Sequence, residues 1–258
     1  MPYIKEKCRA GKTVEYRYYY TYRYNDGGGR RRAKYKHTPE AQQEVNRRKA
    51  VRECTRLLNA NFRPGDLYIT YTYRKNARPQ NEAVMRRQVK TLLDRLRRIC
   101  RRSGSELKYI WTVEVGERGA SHIHMVLSGT TSAREIQKAW SYGYIRVTPL
   151  DDTGQYRRLA EYLVKYAKKT EKAIGHPIGH RYNPSRNLRR PEPERTAILG
   201  RRRIPEVIPV PKGWYLDKET ESRGINANGY EYLSYTLVKI DPEKPPDSSA
   251  DPPVDWIT

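Results

Sequence analysis

A single phenylalanine stands in the whole chain, and cysteine and methionine occur only three times each. Cys8, Cys54 and Cys100 are widely spaced and odd in number, which argues against a disulfide framework and for a reducing cytoplasm. No stretch approaches the roughly 18 apolar residues of a membrane span, and the first residues lack the apolar core of a leader peptide. A membrane partner is therefore not expected. Carboxylates are also scarce: 29 Asp and Glu face 52 Lys and Arg, a net charge of +23, which implies a polyanionic partner. Gly11-Lys12-Thr13 looks like the end of a phosphate-binding loop, but Glu6 stands where that loop needs glycine. An ATP-driven motor within the chain is thus unsupported.

What the chain has instead is tyrosine, 22 in all, a residue suited to surfaces both aromatic and wet. It also has one organising stretch. Ile110-Trp111-Thr112-Val113-Glu114-Val115 and Ser121-His122-Ile123-His124-Met125-Val126-Leu127 are β-branched, aliphatic and aromatic runs. The residues between them, 116–120, include two glycines, and the pattern predicts a β-hairpin. Alternation sends His122 and His124 to one face and Ile123 to the other. With Val115 opposite Ser121, Glu114 faces His122 and Thr112 faces His124, about 5 Å apart. Two imidazoles and a carboxylate then lie within reach of one divalent cation. A one-residue slip would send Glu114 to the wrong side. Two histidines on the solvated face of an antiparallel sheet are the plain alternative.

A second constellation follows over residues 155–170. At about 100° per residue, Leu159, Ala160, Leu163, Val164 and Ala167 form an apolar stripe. Tyr162, Lys165, Tyr166 and Lys169 share another, which suits an anion better than an interior.

Strand and helix together resemble the HUH endonucleases (His-hydrophobe-His), and among them the rolling-circle replication initiators of bacterial plasmids and single-stranded-DNA phages. Three motifs carry the resemblance over about residues 60–170: the strand at residues 66–73, the pair His122 and His124 with Glu114 upstream, and the doubled Tyr-x-x-Lys of Tyr162–Lys165 and Tyr166–Lys169. The doubling is typical of the two-tyrosine branch. The resemblance implies a metal-dependent endonuclease and strand transferase that nicks and rejoins single-stranded origin DNA. Tyr166 or Tyr162 would be the nucleophile, with Lys165 and Lys169 assisting, and Mg²⁺ or Mn²⁺ would be held by His122, His124 and Glu114. A host helicase and polymerase are the implied partners, in a bacterial or phage-infected cytoplasm. A transposase or relaxase with the same chemistry is the first alternative; a nucleic-acid-binding protein without catalysis is the second.

The remaining segments frame this core. Tyr16, Tyr18, Tyr20, Tyr22 and Tyr24, the turn at residues 25–29 and the basic run at 30–36 predict an N-terminal hairpin. Its tyrosines either stack bases or pack the hairpin face. Thr38-Pro39 starts a helix to about Asn59, with Val45, Val51, Leu57 and Leu58 on its apolar side. A long amphipathic helix is predicted over 81–102, a short one from Ser132 to Trp140, and a strand over 142–147. The order suits an antiparallel sheet with helices on one face, the α+β arrangement of ferredoxin-like type that the resemblance implies, with the other face open for metal and DNA. The expected segments are residues 1–60, the nuclease core at 61–170, a basic extension at 171–240 with strands within 213–240, and a disordered tail at 241–258. Arg17, Arg23, Arg30, Arg31, Arg32, Arg186, Arg189 and Arg190 are the expected phosphate contacts. His176 and His180 form a weaker candidate metal pair, set among prolines and glycines that forbid a regular helix.

Overall fold

A computed structural model describes residues 3–21, 39–116, 120–128, 132–175, 178, 180–198, 204–226 and 228–241. The chain divides into two compact units, Gly29–Glu192 and Met1–Gly28 with Pro193–Thr258.

The larger unit holds α1 (Pro39–Asn61), β3 (Leu67–Tyr73), α2 (Glu82–Arg102), β4 (Tyr109–Val115), β5 (Ser121–Leu127), α3 (Ala133–Ala139), β6 (Gly143–Pro149), α4 (Arg157–Ile174) and the short β7 (Asn183–Pro184). The smaller unit holds β1 (Tyr3–Ala10), β2 (Thr13–Tyr20), β8 (Glu194–Ile198), β9 (Trp214–Ile225) and β10 (Glu231–Lys239).

In the larger unit the strands run β6-β3-β5-β4-β7, each antiparallel to its neighbour. The succession β3-α2-β4-β5-α3-β6 in this order is the ferredoxin-like arrangement expected from the sequence. Local chemistry sets its boundaries. The Asn81 side chain accepts from the Val84 amide to cap α2, and Ser132 accepts from Glu135 to cap α3. A side chain at Gly143 would collide with the Thr72 carbonyl oxygen, so glycine lets β6 close on β3. Ile69, Tyr71 and Tyr73 from β3, with Ile123, Met125 and Leu127 from β5, meet Met85, Val89, Leu92, Leu93 and Leu96 of α2 and Ile136 and Trp140 at α3. That face is a continuous apolar core.

The opposite face departs from expectation. It is not left open, because α4 packs on β4 and sets Tyr166 against His124. Leu159, Ala160, Leu163, Val164 and Ala167 are all buried, as their stripe predicts. The helix is fastened at its far end by Thr170, whose hydroxyl donates to the Val113 carbonyl at 2.7 Å and accepts from the Val115 amide at 3.0 Å. Helix α1 packs on α4, and Asn59 accepts from the Tyr156 amide at 2.9 Å. Of the apolar residues expected on α1, Val51, Leu57 and Leu58 are buried, but Val45 is exposed.

The smaller unit is a sheet in the order β8-β1-β2-β10-β9. An N-terminal β-hairpin is present, as expected. β2 turns back on β1 through Gly11-Lys12, with Gly11 at a φ of 57°. Its other edge pairs with β10 over residues 13–18. The expected turn at 25–29 and the basic run at 30–36 lie outside the described residues. Tyr18 packs with Leu233, Tyr235 and Leu237, and Tyr16 stacks on Tyr235 at 5.2 Å, so these tyrosines serve packing. The N-terminal strands share this sheet with the C-terminal ones, while α1 falls within the central unit. The strands expected within 213–240 are present as β9 and β10. The tail beyond Asp241 lies outside the described residues.

Candidate active site

Alternation on three neighbouring strands builds the polar face. Tyr68, Thr70 and Thr72 of β3 point away from the apolar core and stand level with Val126, His124 and His122 of β5. β4 adds Thr112 opposite His124 and Glu114 opposite His122, the register that follows from Val115 standing opposite Ser121.

The side chains form one hydrogen-bonded network. Nε2 of His124 meets Oε2 of Glu114 at 3.0 Å, and the Lys169 ammonium donates to Oε1 at 2.8 Å. On its other side Nδ1 of His124 lies 2.8 Å from the Tyr68 hydroxyl and 3.3 Å from that of Thr70. With His124 neutral, donation of Nε2–H to Glu114 and acceptance from Tyr68 at Nδ1 satisfy every group. Thr72 holds Nδ1 of His122 at 3.1 Å. Tyr166 lies flat on His124, ring centroids 3.9 Å apart and planes 4° from parallel. Tyr162 is the next ring along α4, 5.7 Å from Tyr166, and the Lys165 ammonium stands 5.8 Å from its centroid.

Electrostatics follows from this packing. Burial pushes the Glu114 carboxyl up, but the hydrogen bonds from His124 and Lys169 outweigh it and hold the pKa at about 2. Burial lowers both histidines, against the opposing pull of Glu114, so both are neutral at pH 7. Burial and the Glu114 charge push the Tyr166 phenol up to about 12, which a hydrogen bond with Tyr68 partly offsets.

The donor chemistry suits a hard divalent cation. His124 Nε2 and Glu114 Oε2 are separated by about the distance between adjacent ligand atoms on an octahedral cation with bonds of ~2.1 Å. Among the described residues, however, no three His, Cys, Asp or Glu side chains draw together as a metal cluster. The His122 ring centroid stands 6.3 Å from that of His124, and Lys169 occupies the second oxygen of Glu114.

Of the other expected site residues, Arg17 makes an ion pair of 3.2 Å with Glu6, itself buried. Arg186, Arg189 and Arg190 are exposed, and Arg186 lines a cleft of about 690 Å³ with Arg97, Arg101 and Tyr109. That cleft adjoins the start of β4, five residues from Glu114 along the strand. Arg23, Arg30, Arg31 and Arg32 lie outside the described residues, as does His176, while His180 is exposed. Sequence reasoning named the β3 strand but missed Tyr68 and Thr72 as the groups that hold the histidines. Their signal was the alternation itself, polar at 68, 70 and 72 wherever the core residues were not. Thr170 was missed too; a lone threonine late in a helix carries no such signal.

Comparison with known proteins adds one match. Residues 66–171 match the family described as replication-associated protein ORF2/G2P, a span running from the start of β3 almost to the end of α4. The match supports a replication role of the rolling-circle type and an endonuclease-type activity. No curated protein and no solved structure matches the chain. No helix among the described residues is long and apolar enough to cross a membrane.

Proposed function

We propose that this chain is an HUH-type initiator that nicks and rejoins single-stranded DNA at a replication origin through a 5′-phosphotyrosyl intermediate. The observation that carries this is the stack of Tyr166 on His124, which puts a phenol against the same imidazole that Glu114 and Tyr68 hold. The replication-associated match over these residues supports it.

In the proposed reaction the Tyr166 oxygen attacks phosphorus and the bond from phosphorus to the 3′ oxygen breaks. The phenolic proton is given up and the departing 3′ oxygen takes one, so the DNA is left with a 3′-hydroxyl and a 5′ end esterified to tyrosine. Tyr162, the neighbouring ring, suits the second transfer that closes a replication round without releasing the first link. Lys169 and Lys165 stand over the two rings and set positive charge where phosphoryl charge develops. His122, His124 and Glu114 would hold Mg²⁺ or Mn²⁺, of which Mn²⁺ accepts nitrogen ligands more readily. When bound, such a cation polarises the scissile phosphate. Tyr68 and Thr70 can each accept from Nδ1–H of His124, the tautomer that frees Nε2 as a ligand. A host helicase and polymerase would supply unwinding and synthesis.

The test is a denaturing gel of the full chain with origin-like single-stranded DNA and Mn²⁺. A covalent adduct should form, vanish with chelator, and vanish in Tyr162→Phe/Tyr166→Phe. An adduct that survives loss of both hydroxyls would overturn the proposal.

A further inference from the structure

β6 is an edge strand, and its register continues the rungs of the polar face. Tyr144 stands level with Thr72, which stands level with His122, which faces Glu114. Arg146 stands level with Thr70, and Thr70 with His124. Neighbouring strands are about 4.8 Å apart, so Tyr144 lies two strands, on the order of 10 Å, from His122 on the same face.

The residues there are unlike those of a packed edge. Tyr144 is 64% exposed although it neighbours the partly buried Tyr142, Ile145 and Val147 that pack on the core. The Arg74 guanidinium sits 5.3 Å from the centre of its ring. Arg146 is exposed and meets no carboxylate among the described residues. Arg74, Lys75 and Arg78, just beyond β3, are exposed as well, and neither residues 74–78 nor β6 contain an acidic residue. An open aromatic face among cations, on the same rungs as the histidines, matches what single-stranded nucleic acid requires: stacking for a base and charge for its phosphates.

We propose that Tyr144 and Arg146 form a subsite for a nucleotide flanking the scissile phosphate, its base stacked on Tyr144 and its phosphate on Arg146. The assignment rests on the reading that this face handles a DNA strand. It places the substrate across the sheet from β4 and β5 toward the β6 edge. Arg74 orients the ring and adds charge, and the close approach that Gly143 permits fixes where Tyr144 stands.

The experiment is an anisotropy titration of the full chain with a labelled single-stranded oligonucleotide, without metal, beside the adduct gel at saturating DNA. Tyr144→Ala should weaken binding by about 5- to 100-fold. Tyr144→Phe keeps the aromatic face and should bind like the parent. Arg146→Ala should weaken binding and reduce the salt-dependence slope by about one. A base analogue whose fluorescence is quenched by stacking, placed beside the nick, should lose its quenching in Tyr144→Ala and keep it in Tyr144→Phe. Binding by Tyr144→Ala within twofold of the parent overturns the subsite, even where the parent forms its adduct. Weakened binding in a chain whose parent forms no adduct upholds the subsite for strand binding and removes the nicking reading instead.

Discussion

The two faces of the central sheet come from the same strands and do opposite things. On β5, Ile123 and Met125 point into the α2 side and are fully buried, while His122 and His124 point to the α4 side and are held by hydroxyls. On β3, Tyr71 and Tyr73 bury hydroxyls that have no partner among the described residues, whereas Tyr68 spends its hydroxyl on His124. The lesson is that alternation alone separates stability from chemistry. One face excludes water and fixes the strands; the other uses that rigidity to hold a carboxylate, two imidazoles and a phenol in register.

Neighbouring substitutions should therefore break different properties. Ile123→Ala should cost about 2–5 kcal/mol of stability by leaving a cavity under α2, read by chemical denaturation. His122→Ala, one residue away, should leave the midpoint near that of the parent yet lower adduct formation at least about 100-fold. Equal loss of stability from both would erase the distinction between the faces.

A smaller effect concerns Glu114, whose folded pKa of about 2 lies below the ordinary value of 4.5. A depressed carboxylate stabilises the fold above its unfolded pKa, and the contribution is lost as pH falls through the folded value. In chelator, the parent should melt above Glu114→Gln at pH 6, and the gap should close between about pH 4.5 and 2. A gap that does not change with pH would mean that the carboxylate's charge contributes nothing.

The smallest contrast is between two tyrosines of β3. Tyr71→Phe should leave stability unchanged or raise it by up to about 1 kcal/mol, since no protein hydrogen bond is lost. Tyr68→Phe should lower it by about 1 kcal/mol, because His124 loses its shorter partner at Nδ1. Thermal melts of the pair decide this, and equal shifts would contradict the contrast.

Much of this was legible in the sequence because it is local. The hairpin followed from strict alternation either side of a short glycine-containing connection, and the register assumed for it, Val115 opposite Ser121, is the one that sets Glu114 opposite His122. The apolar stripe of α4 was equally plain. Long-range pairing was not. The tyrosine run at residues 16–20 looked like half of a hairpin with the chain just after it, but it pairs with β1 before it and with β10 more than 200 residues later. Periodicity cannot announce such a partner. Nor could it show that α4 lies on the histidine face, because an amphipathic helix states which side it buries and not which sheet face receives it. The ion pair of Arg17 with Glu6 was hidden for the same reason; the two lie across a strand pair that the sequence did not reveal.

The most direct measurement is to digest the Mn²⁺-dependent DNA adduct and identify the modified residue by mass spectrometry. The account predicts the nucleotide on Tyr166, with Tyr162 taking its place when Tyr166 is changed to Phe. A link to any residue outside α4, or cleavage of the DNA with no residue modified, would contradict it.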